Sequence, residues 1–87
     1  MRLEIKKQFL KDIENVPKNI KIEIVHIIEL LETSASLQEL SNLKKLKGYN
    51  NYYRIRIGQY RMGIALVDDA VVLSRFLHRK EVYRFFP

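Results

Sequence analysis

Large apolar residues of the first half of the chain recur every three or four positions, in two runs separated by Pro17. The runs are Phe9, Leu10, Ile13 and Val16, then Ile20, Ile24, Ile27, Ile28 and Leu31. This spacing places apolar side chains on one face of a helix, and proline is tolerated in a first helical turn. The pattern predicts two helices joined by a turn at residues 15–18. Before them, Leu3 and Ile5 alternate with charged residues, which predicts a short strand.

The second half of the chain changes to the period of β-strands. After an irregular or partly helical stretch at 34–51, large apolar residues alternate with other residues over 52–57 and 60–66. Gly58-Gln59 fits a two-residue type II′ hairpin loop, and Asp68-Asp69 supplies a second turn before a strand at 71–76. These elements predict a single α+β domain spanning 1–87. An N-terminal helical hairpin would pack on one face of a small antiparallel sheet, with the opening strand at an edge.

The predicted loop at Gly58-Gln59 fixes which residues of the first hairpin face each other. Arg56 then opposes Arg61, and Arg54 opposes Gly63. Facing residues of antiparallel strands point to the same side of a sheet. The three arginines are therefore expected together on the face that the helices leave uncovered, which we call the arginine face. Like charges that face each other cost up to ~1 kcal/mol per pair, so this conflict suggests an anion-binding site.

The third strand extends this register if the turn at Asp68-Asp69 is followed by no bulge. Gly63 would then face Ser74, and His78 would project on the arginine face near the strand end. The same alternation predicts Arg75 on the apolar face, reaching out to solvent or to an acidic residue of a helix. Three guanidinium groups, small neighbours and an imidazole are a group of residues suited to a phosphodiester.

The distribution of charge supports a polyanionic partner. The chain has sixteen Lys and Arg against ten Asp and Glu, a net charge of +6. Residues 1–43 hold six basic and seven acidic residues (net −1), whereas residues 44–87 hold ten basic and three acidic residues (net +7). Such asymmetry is typical of proteins that bind nucleic acid or acidic protein segments.

Several classes of protein are excluded by composition. The chain has no cysteine, and no apolar run approaches the ~20 residues that span a bilayer. The first residues lack the apolar segment of a secretory signal. Asp68-Asp69 has the composition of a turn, and Glu81 stands alone, so no acidic cluster suggests a metal site. We therefore expect a cytoplasmic protein that needs neither metal nor cofactor and does not contact membranes.

Three segments, taken in order, resemble the RelE/ParE superfamily of toxins from type II toxin–antitoxin systems. They are the segment LKKLKG at 43–48, the segment YRIRIGQYRM at 53–62 and the segment HRKEVYR at 78–84. The resemblance covers nearly the whole chain, including the two N-terminal helices. It implies the same fold as the residue pattern predicts: a helical hairpin on an antiparallel sheet.

The resemblance to the RelE branch implies an endoribonuclease that cuts mRNA in the ribosomal A site. In that branch the ribose 2′-hydroxyl attacks the adjacent phosphate without a metal. Carried over to this chain, the family pattern implies catalytic roles for Arg61, His78, Arg79 and Tyr83, and RNA or phosphate contacts for Arg54, Arg56, Lys44, Lys45 and Lys47. In the best-studied members of the RelE branch, lysines occupy the positions that match Arg54 and Arg56. A guanidinium is a poor base, so His78 or Tyr83 becomes the expected acid–base group.

The implied partners are the ribosome, mRNA and a cognate antitoxin that is acidic and partly disordered when free. Two alternatives remain open from the sequence. A ParE-like toxin shares the fold but poisons DNA gyrase by binding it, without nuclease activity. A basic binding module without catalytic activity is the other alternative. Lys44, Lys45 and Lys47 either contact ribosomal RNA or simply solvate a loop.

Overall fold

The computed structural model describes residues 1–87 and confirms the α+β architecture. Its elements, in chain order, are β1 (Arg2–Ile5), α1 (Lys7–Ile13), α2 (Lys18–Thr33), a single 3₁₀ turn (Leu37–Glu39), β2 (Leu43–Lys45), β3 (Tyr52–Ile57), β4 (Tyr60–Val67), β5 (Ala70–His78) and α3 (Val82–Phe85). The predicted helical hairpin is formed by α1 and α2. No helix combines the length and the apolar composition needed to cross a membrane.

The five strands form one sheet in the order β1-β5-β4-β3-β2. The opening strand β1 lies at an edge, as predicted, and pairs in parallel with β5. All the other pairs are antiparallel. The strand β2 was not predicted, because its three residues are too few to show an alternating pattern; it forms the other edge beside β3.

The core lies between the helical hairpin and one face of the sheet, which we call the helix side. Its most deeply buried side chains come from both layers: Phe9, Ile24, Leu31, Ile55, Ile57, Met62, Ile64, Val71, Leu73 and Phe76. Full burial of one such side chain contributes roughly 1.5–3 kcal/mol. Ile55, Ile57, Met62 and Ile64 are the residues that the alternation of β3 and β4 assigned to this face, so the arginines between them must point to the other side.

The predicted register of the first hairpin is confirmed. Arg56 pairs with Arg61, Arg54 with Gly63 and Ile57 with Tyr60. Gly58 has φ of +57°, the left-handed conformation that the first loop position of a type II′ turn requires. The loop therefore sets the side-chain directions of the whole hairpin.

The predicted register of β5 is wrong beyond Leu73, because a bulge inserts one residue there. Ile64 still pairs with Leu73, but Gly63 pairs with Arg75 instead of Ser74. An extra residue on one strand reverses the side to which every later side chain points. As a result, His78 pairs with Tyr60 on the helix side and does not project on the arginine face.

The bulge is held by a carboxylate from α1. Asp12 accepts hydrogen bonds from Arg75 Nε (2.8 Å) and from the backbone N–H of Phe76 (2.9 Å). Gln8 Nε2 donates to the other oxygen at 3.0 Å. Arg75 therefore pairs with an acidic residue of a helix, as predicted, but the prediction that it lies on the apolar face is wrong, because the bulge places it opposite Gly63 on the other face. The Asp12 side chain is 8% exposed, so this ion pair is largely shielded from water.

A second, smaller apolar cluster lies on the opposite side of the sheet from the helical hairpin. It consists of Leu46, Val82 and Phe86, with Tyr52 and Leu77 packed against it. Val82 belongs to α3, so this cluster attaches the C-terminal helix to the sheet. The helix α3 covers part of this face and leaves the arginines of β3 and β4 beside it accessible.

Candidate functional site

The three arginines predicted to share a face do so in the structure. They project from β3 and β4 on the side opposite the helical hairpin, because their neighbours Ile55, Ile57 and Met62 are buried in the core. Arg56 is exposed, while Arg54 and Arg61 are half-buried. The alternation of the hairpin thus fixes the arginine face, and no acidic residue interrupts it.

Arg61 is the most constrained guanidinium of the group. Its Nη1 donates to the carbonyl oxygens of Gly58 (3.0 Å) and Tyr60 (2.8 Å). Burial lowers the pKa of Arg61 below its ordinary value, and the positive charges of Arg54, Arg56 and Arg79 lower it further, while Tyr83 opposes this. The charged form of Arg61 is therefore less favourable than in water. A bound anion would relieve this repulsion between cations, which is the electrostatic property of an anion-binding site.

Two neighbouring cavities share Arg54 and Arg61. The first cavity, of about 280 Å³, is lined by Ser41, Asn42, Lys44, Arg54, Arg56 and Arg61. The second cavity, of about 320 Å³, is lined by Arg54, Arg61, Arg79, Lys80 and Tyr83. Every charged residue in both linings is positive. Arg54 and Arg61 thus lie at the junction of two cationic cavities, a position from which they can contact a phosphate between two nucleotides.

Tyr83 is the only aromatic residue in either lining. It is carried by α3 and is 64% exposed, and the guanidinium carbon of Arg54 lies 6.0 Å from the centre of its ring. A cation at this distance interacts favourably with the face of an aromatic ring. The phenol can donate a hydrogen bond or a proton, and the ring can stack on a base.

His78 does not join the arginine cluster, contrary to the sequence prediction. Its ring lies 5.9 Å from that of Tyr60, and its Nδ1 accepts a hydrogen bond from the backbone N–H of Lys80 (3.2 Å). His78 lines neither cavity. The bulge in β5 is the physical reason, because it turns this position towards the helix side. Arg79, the next residue, does line the second cavity as expected.

The three lysines of the 43–48 segment separate in the structure. Lys44 pairs with Arg54 and lines the first cavity. Lys45 pairs with Tyr53 on the helix side, and Lys47 is exposed beyond the end of β2, so neither lines a cavity. Because consecutive residues of a strand point to opposite faces, only one of Lys44 and Lys45 can join the arginines.

Three lining residues were missed by the sequence analysis: Ser41, Asn42 and Lys80. Asn42 is brought to the site by β2, and its carbonyl oxygen accepts a hydrogen bond from the backbone N–H of Arg56 (3.2 Å). No local pattern distinguishes Ser41 or Asn42 from other loop residues. Lys80 could have been found from the segment HRKEVYR, whose Arg79 and Tyr83 line the same cavity.

Comparison with known proteins decides the family. A sequence model described as the ParE toxin of the type II toxin–antitoxin system parDE matches residues 3–83, which include the whole arginine face and Tyr83. The chain belongs to the RelE/ParE family of toxins of type II toxin–antitoxin systems. The superfamily resemblance read from the sequence is thereby confirmed.

Two archaeal relatives place this RelE/ParE chain near RelE proteins. It is 47% identical to toxin RelE3 of Methanocaldococcus jannaschii over 88 residues, covering 100% of both chains. It is 35% identical to the putative toxin RelE1 of the same organism, covering 91% of this chain and 89% of the relative. Both similarities extend over almost the full length, so they include the elements that carry the arginine face.

Solved structures of RelE proteins share the fold. A chain of the RelB–RelE antitoxin–toxin complex from Methanococcus jannaschii superposes with a TM-score of 0.82 at 46% identity, covering 97% of this chain and 99% of that one. A chain of the archaeal RelE–RelB complex from Pyrococcus horikoshii superposes with a TM-score of 0.72 at 26% identity, covering 90% and 93%. The RelE fold of this chain is therefore shown by sequence and by structure.

Proposed function

We propose that this RelE/ParE toxin is an endoribonuclease that cleaves mRNA on the ribosome and so stops translation. The observation that carries the proposal is the position of Arg54 and Arg61 between two cationic cavities. A single-stranded RNA laid across the arginine face would place one nucleotide in each cavity. The phosphate between them would then lie against both guanidinium groups, with Tyr83 beside it.

The proposed reaction uses the ribose of the substrate as the nucleophile. The 2′-oxygen forms a bond to phosphorus, the bond from phosphorus to the 5′-oxygen breaks, and the products are a 2′,3′-cyclic phosphate and a 5′-hydroxyl. Negative charge increases on the phosphate oxygens as the reaction proceeds. Guanidinium donors fixed before the reaction stabilise that charge, and removal of one such donor typically costs about 10²–10³ in rate. Arg61, already fixed by two carbonyl groups, is suited to this role.

Proton transfer is assigned to Tyr83. Its phenol is the only aromatic hydroxyl among the lining side chains of the two cavities, and the basic residues beside it are lysines and arginines. Its phenol would give a proton to the 5′-oxygen as that group leaves, while the proton of the 2′-hydroxyl passes to solvent. Arg79 lines the same cavity and would hold the leaving nucleotide. His78, which lines neither cavity, is left out of the proposed mechanism.

Positively charged residues outside the two cavities support the ribosome as the place of cleavage. Lys45 is exposed on the helix side of β2, and Lys47 is exposed beyond the end of that strand. Neither lines a cavity, so both are available to ribosomal RNA. Contacts of this kind contribute affinity through phosphate charge and carry no sequence information. The ribosome would also hold the mRNA extended, which the shallow arginine face does not enforce by itself.

The proposed partner in the cell is a cognate antitoxin that is acidic and partly disordered when free. Support comes from the similar chains, which were solved within complexes named RelB–RelE. An acidic segment would find its complement on the half of the chain with a net charge of +7 (ten basic and three acidic residues). Folding of such a segment on the arginine face would exclude RNA.

The proposal is tested with translating ribosomes and mapping of mRNA ends. We expect new 5′-hydroxyl ends with the wild-type protein, and loss of these ends with Arg61→Ala. Arg2→Ala is a matched control, because Arg2 is an exposed arginine on the far edge of the sheet. Absence of new ends with an active wild-type toxin would overturn the proposal.

A gyrase supercoiling assay tests the ParE-like alternative in parallel. Inhibition of gyrase together with intact mRNA would favour that alternative. The residues present give it less support, since gyrase binding needs no aromatic proton donor beside a guanidinium cluster. Loss of both activities would leave the chain as a basic binding module.

A further inference from the structure

The backbone of Gly63 lies directly under the ring of Phe86. The two are so close that a side chain at position 63 would collide with the ring. A methyl group built on Gly63 would lie 2.8 Å from Cγ and Cδ2 of Phe86 and 2.9 Å from Cδ1. Carbon atoms in contact prefer about 3.5–4.0 Å. The ring is 4% exposed and packs at 5.6 Å against Tyr52, edge to face. Phe86 is thus held in a slot of the sheet that exists because residue 63 has no side chain.

The backbone conformation at position 63 does not require glycine. Gly48 and Gly58 have positive φ values, but Gly63 does not. A glycine inside a strand costs roughly 0.5–1 kcal/mol relative to alanine. Gly63 also lies in the middle of β4, paired on both sides. The space required by Phe86 is therefore the structural reason for glycine here.

The slot determines where Tyr83 can be. Phe86 and Val82 attach α3 to the sheet, and the N–H of Phe86 donates to the carbonyl oxygen of Val82 (2.8 Å). Tyr83 lies between these two anchors in the sequence. Its own side chain makes no hydrogen bond and is 64% exposed. Apart from the contact of its ring with the guanidinium of Arg54, the position of Tyr83 is consequently set by the attachment of α3.

We propose that Gly63 and Phe86 form a positioning contact that holds Tyr83 over the arginine face. The consequence for cleavage rests on the proposed nuclease function, whereas the positioning of Tyr83 does not. Gly63→Ala would push the ring out of its slot, and Phe86→Ala would remove the anchor. In both variants α3 detaches and Tyr83 leaves the cavity that it shares with Arg54 and Arg61. Misplacement of a reacting group by about 1 Å can cost up to 10²-fold in rate.

The first experiment observes Tyr83 directly, without any assay of activity. Proteins labelled with ring-¹³C tyrosine are compared by NMR, and the Tyr83 signal is assigned with Tyr83→Phe. We expect the signal to move towards that of free tyrosine in Gly63→Ala and in Phe86→Ala. Phe85→Ala is the matched control, because Phe85 belongs to the same helix but is 45% exposed. The signals of Tyr53 and Tyr60, which pack against the main core, show whether the fold is intact.

A compensating substitution distinguishes displacement of the Phe86 ring from general unfolding of the variant. Gly63→Ala combined with Phe86→Leu replaces the ring by a narrower, more flexible side chain beside the new methyl group. We expect this double variant to restore part of the Tyr83 signal. A Tyr83 signal that stays unchanged in Gly63→Ala and in Phe86→Ala would overturn the positioning contact.

The second experiment is a double-mutant cycle on cleavage of mRNA. We expect Phe86→Ala to lower kcat by at least about tenfold, and to have no further effect in the Tyr83→Ala background. Equal losses in both backgrounds would show that Phe86 does not act through Tyr83, and would overturn the inference even if the protein is a nuclease. If the wild-type protein does not cleave mRNA, the proposed function fails, and the NMR comparison alone decides the position of Tyr83.

Discussion

Residues of the arginine face lie opposite other positively charged residues, which is electrostatically unfavourable. Arg56 faces Arg61, and Lys44 faces Arg54 across the β2–β3 pair. Each such pair costs up to ~1 kcal/mol, and the pKa of Arg61 is lowered by burial and by the neighbouring cations. A fold selected for stability alone would not keep these residues together. Under the proposed function, binding of RNA would recover this cost, so we expect large functional effects and small structural effects from substitutions here.

Substitution of Arg61 is expected to remove toxicity and leave the fold intact. Arg61→Ala should lower the cleavage rate by about 10²–10³, because it removes a fixed donor to the phosphate. Its melting temperature should stay close to that of the wild type, because the loss of its two hydrogen bonds to backbone carbonyls is offset by relief of the repulsion between neighbouring cations. Arg61→Lys keeps the charge but not the planar fork, so we expect intermediate activity. Full growth arrest by Arg61→Ala would contradict the assignment.

Substitution of Arg56 is expected to stabilise the isolated protein. Arg56→Ala removes the like charge that faces Arg61, which should raise the free energy of unfolding by up to ~1 kcal/mol while RNA binding weakens. Thermal unfolding at low salt measures the first effect, and titration with labelled RNA measures the second. Arg2→Ala serves as the control, because Arg2 lies beside Glu4 (3.8 Å) and faces no cation. A clear fall in melting temperature for Arg56→Ala would count against the repulsion between facing cations.

Among the strands, the register of the β3–β4 hairpin could be predicted from the alternation of apolar residues, whereas the bulge in β5 could not. The hairpin register follows from alternation and from Gly58, so Arg54, Arg56 and Arg61 were placed correctly. The bulge in β5 depends on Asp12, a residue of α1 far away in the sequence. No pattern in the sequence of β5 predicts its contact with Asp12. The wrong placement of His78 follows from this one tertiary contact.

Removal of the Asp12 carboxylate is expected to destabilise the bulge. Asp12→Ala leaves the N–H of Phe76 and the guanidinium of Arg75 without their partner, which should cost about 2 kcal/mol of stability. For a domain of this size the melting temperature should then fall by roughly 10 °C. Asp12→Asn keeps one acceptor oxygen and should lose less. Equal stability of Asp12→Ala and the wild type would show that the bulge does not need the carboxylate.

The same carboxylate predicts how stability depends on pH. Burial alone would raise the pKa of Asp12, but the hydrogen bonds from Arg75, Phe76 and Gln8 and the charge of Arg75 together lower it below 3.8. A carboxyl group with a lowered folded-state pKa stabilises the protein above its unfolded-state value, and this contribution is lost as pH falls through the folded-state pKa. Denaturant unfolding between neutral pH and acid below 3.8 should therefore show a smaller loss for Asp12→Asn than for the wild type. Parallel curves would contradict the lowered pKa.

Across the protein as a whole, the division between near-neutral and basic sequence coincides with the division between the helical hairpin and the arginine face. The helical hairpin belongs to the half of the chain with six basic and seven acidic residues, and it covers the helix side of the sheet. The strands that carry the arginine face belong to the half with ten basic and three acidic residues. The positive potential is therefore concentrated on the face that the helices leave open. This asymmetry was predictable from the sequence, whereas the cavities were not, because Ser41 and Asn42 reach the site only through the unpredicted strand β2.

Concentration of charge on one face predicts the salt dependence of RNA binding. For single strands the slope of log K against log salt concentration is about −0.7 per phosphate neutralised, so contact with about four phosphates gives a slope near −3. The probe is a short RNA with 2′-O-methyl riboses, in which the proposed nucleophile is blocked and cleavage is prevented. Lys44→Ala should make the slope shallower by about 0.7, since Lys44 lines the first cavity.

The control for this measurement is Lys11→Ala, which removes the same charge from an exposed position on α1. If RNA follows the arginine face, Lys11→Ala changes the overall charge by one unit and leaves the slope unchanged. If binding depends only on net charge, the two variants shift the slope equally. The difference between Lys44→Ala and Lys11→Ala therefore separates a defined path of RNA across β2, β3 and β4 from general attraction to a basic protein.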